Sequence, residues 1–249
     1  MALQAIISDW NGTIISDRNE MPILKHMAVD IARHLLPLHP LKLLKIIKVR
    51  QELNRLHEEK QQDQDFDYVR EMYQIYNHKI IKGTPMPVIR YSVENYAAGS
   101  EVRQKLDYRV LNVLRKYHDE NKICGILSAG FDYGIDRILA AAGYRNSFDF
   151  LLADKLVEND GKATHLLLRI YRNKGSFLRN LLREYQINPD KTVYIGDTED
   201  DESCFQLVKY PVISFFAPEE FKQCCTHKYQ AFAPKSGEEL EEFLKKIDK

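Results

Sequence analysis

Four short segments hold side chains whose types and spacing suit one reaction. Asp9-Trp10-Asn11-Gly12-Thr13 offers a carboxylate in a glycine-containing turn, and Ser128-Ala129-Gly130 a hydroxyl with small neighbours. Lys174 adds an ammonium, and Gly196-Asp197-Thr198-Glu199-Asp200-Asp201 a run of carboxylates. A carboxylate nucleophile, a hydroxyl, an ammonium and a second carboxylate cluster fit phosphoryl transfer, where positioning and charge stabilisation supply most of the catalysis. If the segments meet, Asp9, Asp197, Asp200 and Asp201 crowd several negative charges together. Such crowding is costly without a cation, and hard oxygen ligands favour Mg²⁺.

The surrounding pattern says how the segments would meet. Three directly follow apolar runs that read as buried parallel strands: Ala5-Ile6-Ile7, Ile126-Leu127 and Val193-Tyr194-Ile195. In an open α/β sheet the carboxyl ends of adjacent strands converge on one crevice. Lys174 opens an amphipathic helix that the spacing extends to Tyr185. A cation is unfavourable at a helix N-terminus, so its placement asks for a reason other than local stability.

The rest of the chain divides in two. Residues 21–98 carry helical periodicity without a strand signal: Met21–Leu36 ending at Pro37 and Pro40, then Leu41–Glu59, Asp65–Lys82 and a short Pro87–Tyr96. From Gln104 onward helices and strands alternate, with helices Gln104–His118, Tyr133–Ala142 and Asp200–Leu207. The strands are Ile123–Leu127, Phe148–Ala153, Thr192–Ile195 and Val212–Phe215. Asp160-Gly161 marks a hairpin turn. Ser236 with Glu239 reads as a capping box for the last helix. The expected fold is α/β, a Rossmann-like parallel sheet with an all-helical insert after the first strand. The expected domains are 1–17 with 100–249 as core and 18–99 as insert.

These motifs, in this order, resemble the haloacid dehalogenase superfamily of aspartate-nucleophile phosphatases and phosphotransferases. The resemblance covers Gln4–Ile15 and about Gln104 to the end, and the insert sits where that superfamily places a helical cap. Ser128-Ala129-Gly130-Phe131 and the hairpin at 156–164 look most like its phosphoserine-phosphatase-like branch. The resemblance implies that Asp9 is the nucleophile and Mg²⁺ the cofactor. The metal would be held by Asp9, the Asn11 carbonyl and Asp197, with Asp201 in its outer shell. It further implies that Ser128, with the amides of Ala129 and Gly130, binds the phosphoryl oxygens. Thr13 would hold the loop, Lys174 would neutralise nucleophile and phosphate, and Asp200 would stand beside the substrate. The substrate implied is a small phosphorylated metabolite. The cap, as a lid, would select it.

One residue departs from the pattern. Most phosphatases of this superfamily have Asp where this chain has Asn11, and that carboxyl protonates the leaving group and then activates water. An amide does neither, and losing general acid–base catalysis costs about 10²–10⁴-fold. Three readings stay open: a phosphatase with a substitute acid/base or a good leaving group, a phosphonate-cleaving or phosphotransfer enzyme, or a phospho-ligand-binding protein with slow turnover. On the first reading, Asn11→Asp raises the rate unless another group already supplies the proton.

Bulk composition narrows the partners. With 36 basic and 36 acidic residues the chain is formally neutral, so charge gives no reason to expect nucleic acid or an anionic membrane. No apolar run approaches the roughly 20 residues that span a bilayer, and the start lacks a signal-peptide pattern. Cys124, Cys204, Cys224 and Cys225 show no metal-ligand spacing and fit a reducing cytoplasm. Lys42, Lys45, Lys48 and Arg50 read as the solvated face of an insert helix. Gly161-Lys162 lacks the rest of a P-loop. Oligomeric state has no signature here.

Overall fold

A computed structural model describes residues 2–35, 40–63 and 66–249. In chain order its elements are β1 (Ala5–Ser8), α1 (Met21–Leu35), α2 (Pro40–Gln62), α3 (Tyr68–Tyr76), α4 (Met86–Ala98), α5 (Ser100–Gln104), α6 (Tyr108–Asp119) and β2 (Ile123–Phe131). They continue with α7 (Asp132–Ala141), β3 (Phe150–Asn159), β4 (Lys162–Leu167), α8 (Lys174–Glu184), β5 (Thr192–Gly196), α9 (Glu202–Phe205), β6 (Tyr210–Ile213), α10 (Glu219–Tyr229) and α11 (Gly237–Ile247). The chain forms two compact units: residues 1–20, 99–154 and 168–249, and residues 21–98 with 155–167.

The first unit is built on parallel strands in the order β3-β2-β1-β5-β6. β1 is central and buried on both faces, pairing Ala5–Ser8 with Ile123–Ile126 on one side and Thr192–Ile195 on the other. This continuous apolar run, rather than an alternating one, is what a sheet covered on both faces requires. Apolar residues of α6, at Val110, Leu111, Val113, Leu114 and Tyr117, are buried. Asp107 caps that helix by accepting from the Arg109 and Val110 amides at 2.9 and 3.4 Å. Leu178, Leu181 and Leu182 of α8 join Tyr194 and Phe205 in one core cluster.

Three details depart from the sequence expectation. β2 does not stop at Leu127 but runs to Phe131, and its pairing with β3 slips between those residues. Ser128-Ala129-Gly130 therefore lies in the irregular stretch of a strand instead of beyond its end, where broken pairing re-aims side chains. At α11, Ser236 accepts from the Glu239 amide at 3.3 Å, but the Glu239 carboxylate reaches back to the Lys235 amide at 2.8 Å. The reciprocal bond of a capping box is displaced by one residue.

The third departure concerns the hairpin, which the sequence reading left with the core. Residues 155–167 pack in the second unit, with α1 to α4. The Asn77 side-chain amide is the reason. It accepts from the Leu166 amide at 2.7 Å and donates to the Leu166 carbonyl at 3.1 Å, as a paired strand would. Gly83 and Thr84 then bond both backbone groups of Ala163 at 2.8 and 2.9 Å. The turn is the expected one, with Asp160 and Gly161 at φ +48° and +71°. The expected helix 65–82 is broken at Asn77 by a wide turn, Asn77–Ile81. Tyr73 and Tyr76 are buried in this unit. The expected stop at Leu36 and Pro37 lies outside the described residues, as do the side chains of Lys42, Lys45 and Arg50; Lys48 is exposed.

Candidate functional site

At the carboxyl end of the sheet, β1, β5 and the start of α8 bring four charged side chains together. Asp9 follows β1, and its amide bonds the Ile195 carbonyl of the neighbouring strand at 2.9 Å. Lys174 is 3% exposed; its Nζ lies 2.8 Å from Asp9 Oδ2 and 2.7 Å from Asp201 Oδ1. Asp201 is held from other sides as well. Its Oδ1 accepts from the Tyr194 hydroxyl at 2.8 Å, and its Oδ2 from the Asp197 and Thr198 amides at 3.0 and 3.3 Å. The buried Ser128 hydroxyl bonds the Asp9 carboxylate and accepts from the Gly130 amide at 3.2 Å. Among the described residues, Asp9, Asp197 and Asp201 each offer one oxygen within 4.8 Å of the others.

The loop between Asp9 and Thr13 is a tight turn. The Ile14 and Ile15 amides both bond the Trp10 carbonyl, at 2.9 and 3.0 Å. Gly12 sits at φ +67°, and a Cβ there would overlap Asp197 Oδ2. The Ser214 hydroxyl, just past β6, donates to the Gly12 carbonyl at 2.5 Å. Thr13 Oγ1 reaches Asp197 Oδ1 at 3.5 Å. Gly12→Ala therefore meets both backbone strain and a clash with a carboxylate. The expected result is a stability loss of about 1–3 kcal/mol, read as a lower urea midpoint.

The charges do not balance: three buried carboxylates face one ammonium. Burial drives the Asp9 carboxyl upward to about 6, with Lys174 opposing and Asp201 adding to the rise. Burial drives Asp197 up more strongly, and Asp9 and Asp201 reinforce it. Burial alone would lower the Lys174 ammonium, but the charges of Asp201 and Asp9 outweigh it and hold it well above its ordinary value. Asp9 Oδ1 and Asp197 Oδ2 are buried without a hydrogen-bond partner. Orphaned oxygens on two neighbouring carboxylates suit a hard divalent cation.

The family model of the haloacid dehalogenase-like hydrolases matches residues 6–206. The chain belongs to this family. Solved structures agree on the fold of this hydrolase. A substrate-bound phosphoserine phosphatase aligns over 99% of both chains at 16% identity, with a TM-score of 0.61. A phosphoserine phosphatase described as a phospho-aspartyl intermediate analogue aligns over 99% of this chain and 100% of its own at 18% identity, TM-score 0.61. A phosphoserine phosphohydrolase-like protein from Francisella tularensis subsp. tularensis SCHU S4 aligns over 97% and 100% at 14% identity, TM-score 0.57.

Within this hydrolase, Asp9, Thr13, Ser128, Gly130, Lys174, Asp197 and Asp201 converge, with the Asn11 loop against them. Asp200 does not join the cluster. It is exposed on the short turn Glu199–Asp201, and its carboxyl still feels the charges of Lys174 and Asp201. Ala129 is half-buried. Sequence reasoning missed Tyr194, Ser214 and Glu20. Tyr194 read only as strand core, and Ser214 stands at a strand's carboxyl end, a position that could have flagged it. Glu20 closes a polar loop with no periodicity. It is 7% exposed, and it accepts from the Phe131 amide. Its burial pushes its carboxyl up to about 7.

Among the described residues, no helix is long and apolar enough to cross a membrane. Cys124, Cys204 and Cys225 are buried and Cys224 exposed, all as free thiols.

Proposed function

We propose that this hydrolase is a Mg²⁺-dependent phosphatase acting on a small phosphorylated metabolite through an aspartyl-phosphate on Asp9. The observation that carries the reading is the pair of orphaned, buried oxygens of Asp9 and Asp197 beside the ammonium of Lys174. Asp9, Asp197 and the Asn11 carbonyl would hold the metal, with Asp201 behind them. When bound, it would supply charge neutralisation for the phosphoryl oxygens.

The chain's own residues do the rest. Lys174 holds the Asp9 carboxylate in place through its Oδ2 at 2.8 Å. Attack on phosphorus forms the Asp9–phosphorus bond as the bond to the leaving oxygen breaks. The departing alkoxide needs a proton unless it is intrinsically stable. Water then cleaves the acyl phosphate, releasing phosphate and restoring the carboxylate. Ser128 and Lys174 flank the transferred group and offset its charge. The helical unit with its hairpin would be the cap that selects the metabolite.

Asn11 favours one second reading, a phospho-ligand-binding protein with slow turnover, because an amide at that position moves no proton. Phosphate release from p-nitrophenyl phosphate, with and without Mg²⁺, separates the two. That leaving group needs little acid help, so a phosphatase should release phosphate there and stop when the metal is chelated. No release, with Mg²⁺ and phosphate still raising the melting temperature, would support the binding reading. A panel of phosphorylated metabolites then identifies the substrate.

The metal should also show in stability. Asp9, Glu20 and Asp197 have folded-state values raised above the ordinary carboxylate range. Between about pH 4 and pH 8 the folded state therefore binds more protons than the unfolded one, and stability falls as pH rises. The expected result is a melting temperature that declines from about pH 5 to about pH 8 in chelator, with Mg²⁺ removing most of the slope. An identical slope with and without Mg²⁺ would take the metal away from these carboxylates.

A further inference from the structure

The helical unit holds a cleft of its own, about 940 Å³, walled by α1, α2 and α3. On α1 its lining runs from Met21 through Lys25 to Ala28 and Val29, a spacing that places them on one helix face. On α2 it runs from Val49 through Leu53 to His57 in the same way. Residues 36–39 alone separate α1 from α2, so these two packed helices run back along each other. The two ends of the cleft therefore differ. At one end His57 meets the Tyr68 ring edge-on at 6.4 Å, and the Tyr76 hydroxyl donates to Met21 Sδ at 3.4 Å. Two turns further along α1 the lining is aliphatic, with Ala28 and Val49 buried. Tyr76 is 1% exposed, and a thioether is a weak acceptor, so this buried phenol lacks a full hydrogen bond. Burial raises both Tyr68 and Tyr76 above the ordinary phenol range, and both remain donors at neutral pH. Lys25 is exposed one turn from Met21, and the Lys60 ammonium lies 5.5 Å over the Tyr68 ring. Among the described residues, Glu58 is the one acidic member of the lining.

We propose that this cleft binds a small amphipathic anion, its apolar body against Ala28, Val29, Val49 and Leu53 and its anionic oxygens on the Tyr76 hydroxyl and the Lys25 ammonium. Each part of the ligand answers a feature of the lining. An oxyanion gives Tyr76 a charge-assisted hydrogen bond in place of the contact with sulfur. Lys25 supplies the charge that such a head requires. The aliphatic end takes a chain or ring that water would otherwise have to surround. The volume is that of a site for a small organic molecule. A carboxylate and a phosphate share this chemistry, so the occupant is either a separate ligand or the apolar part of the phosphorylated metabolite itself. Binding is independent of the phosphatase reading. Only the choice between these two sources rests on it.

The test is calorimetric titration of the whole chain with straight-chain carboxylates from butanoate to decanoate, and with decanol. Affinity should rise about three- to fourfold per added methylene until the cleft is full. Decanol, which lacks the anionic head, should bind about tenfold more weakly than decanoate. Tyr76→Phe removes only the hydroxyl, and Lys25→Glu changes an exposed residue, so both should keep the fold. Each should weaken decanoate about tenfold. Val29→Trp, at a half-exposed position, puts a ring into the aliphatic end and should weaken decanoate more than butanoate. No heat of binding at millimolar decanoate would overturn the proposal. So would decanol binding as tightly as decanoate, or an affinity unchanged by both Lys25→Glu and Val29→Trp. Phosphate release with Mg²⁺ then separates the sources. A higher kcat/KM for decyl phosphate than for ethyl phosphate, with the preference lost in Val29→Trp, makes the occupant the metabolite's own apolar body. Decanoate binding without that preference makes it a separate ligand. If no phosphate ester is hydrolysed, the phosphatase reading fails, and the titration still decides whether the cleft is a site.

Discussion

Asp9→Asn is expected to abolish phosphate release, by more than about 10⁴-fold, while leaving the chain folded. The chemical half of this is direct, since an amide oxygen in place of the carboxylate is not a nucleophile toward phosphorus at neutral pH. The structural half follows from competing charges. Asp9 loses its ion pair with Lys174, but Lys174 keeps Asp201 at 2.7 Å. Meanwhile the repulsion of Asp9 with Asp201 and Asp197 disappears. Because burial raises the Asp9 carboxyl despite Lys174, its charged form is disfavoured in the metal-free fold. A neutral isostere should therefore match or exceed the wild-type melting temperature in chelator. Beryllofluoride with Mg²⁺ should stabilise the wild type and not the variant. Equal stabilisation of both would remove Asp9 from the nucleophile role.

The reach of sequence reasoning follows from which contacts are local. Asp9, Asp197 and Lys174 were legible because each abuts an element with a strong signal: a continuous apolar run or the start of an amphipathic helix. Parallel strands in one sheet then leave little freedom in where their ends meet. Asp201 was legible for the same reason, being one turn past β5. Asp200, its neighbour, read equally well as a site residue. The two differ in burial, Asp201 being buried and Asp200 exposed, while both feel the charge of Lys174.

What stayed hidden depends on tertiary closeness. Nothing in the polar run Ser16–Glu20 marks Glu20 as buried, since its burial comes from Phe131 and Gly130, more than a hundred positions away. Tyr194 shows a strand residue's pattern whether or not its hydroxyl finds Asp201. The hairpin's membership of the second unit turns on the Asn77 amide imitating a strand, which a helix-forming stretch does not announce. The extension of β2 through Ser128 arises from a slip in pairing, and composition carries no sign of it.

Lys174→Met should produce the largest loss of stability in the metal-free protein. The ammonium is nearly fully buried and pairs with both Asp9 and Asp201. Removing one partner of a buried ion pair costs about 3–5 kcal/mol, because the remaining charge is left uncompensated. Here the uncompensated charges would be several, and the chain has one ready response, which is to take up protons. The loss should therefore be large at about pH 8 and much smaller at about pH 5, where the carboxyls, already raised by burial, are protonated more readily still. Mg²⁺ should restore part of the melting temperature by supplying the missing positive charge. It should not restore activity. A metal offsets charge, but the contact from Nζ also fixes the orientation of the Asp9 carboxylate. Without it the carboxylate samples orientations that are not productive, and kcat should stay down by about 10²-fold or more. Lys174→Arg would separate the two roles, since it keeps the charge but replaces a point donor with a planar fork. The expected order is wild-type-like stability with low kcat for Arg, and losses of both for Met. A Lys174→Met protein that melts like wild type at about pH 8 in chelator would mean that the ammonium is not the counter-charge holding these carboxylates together.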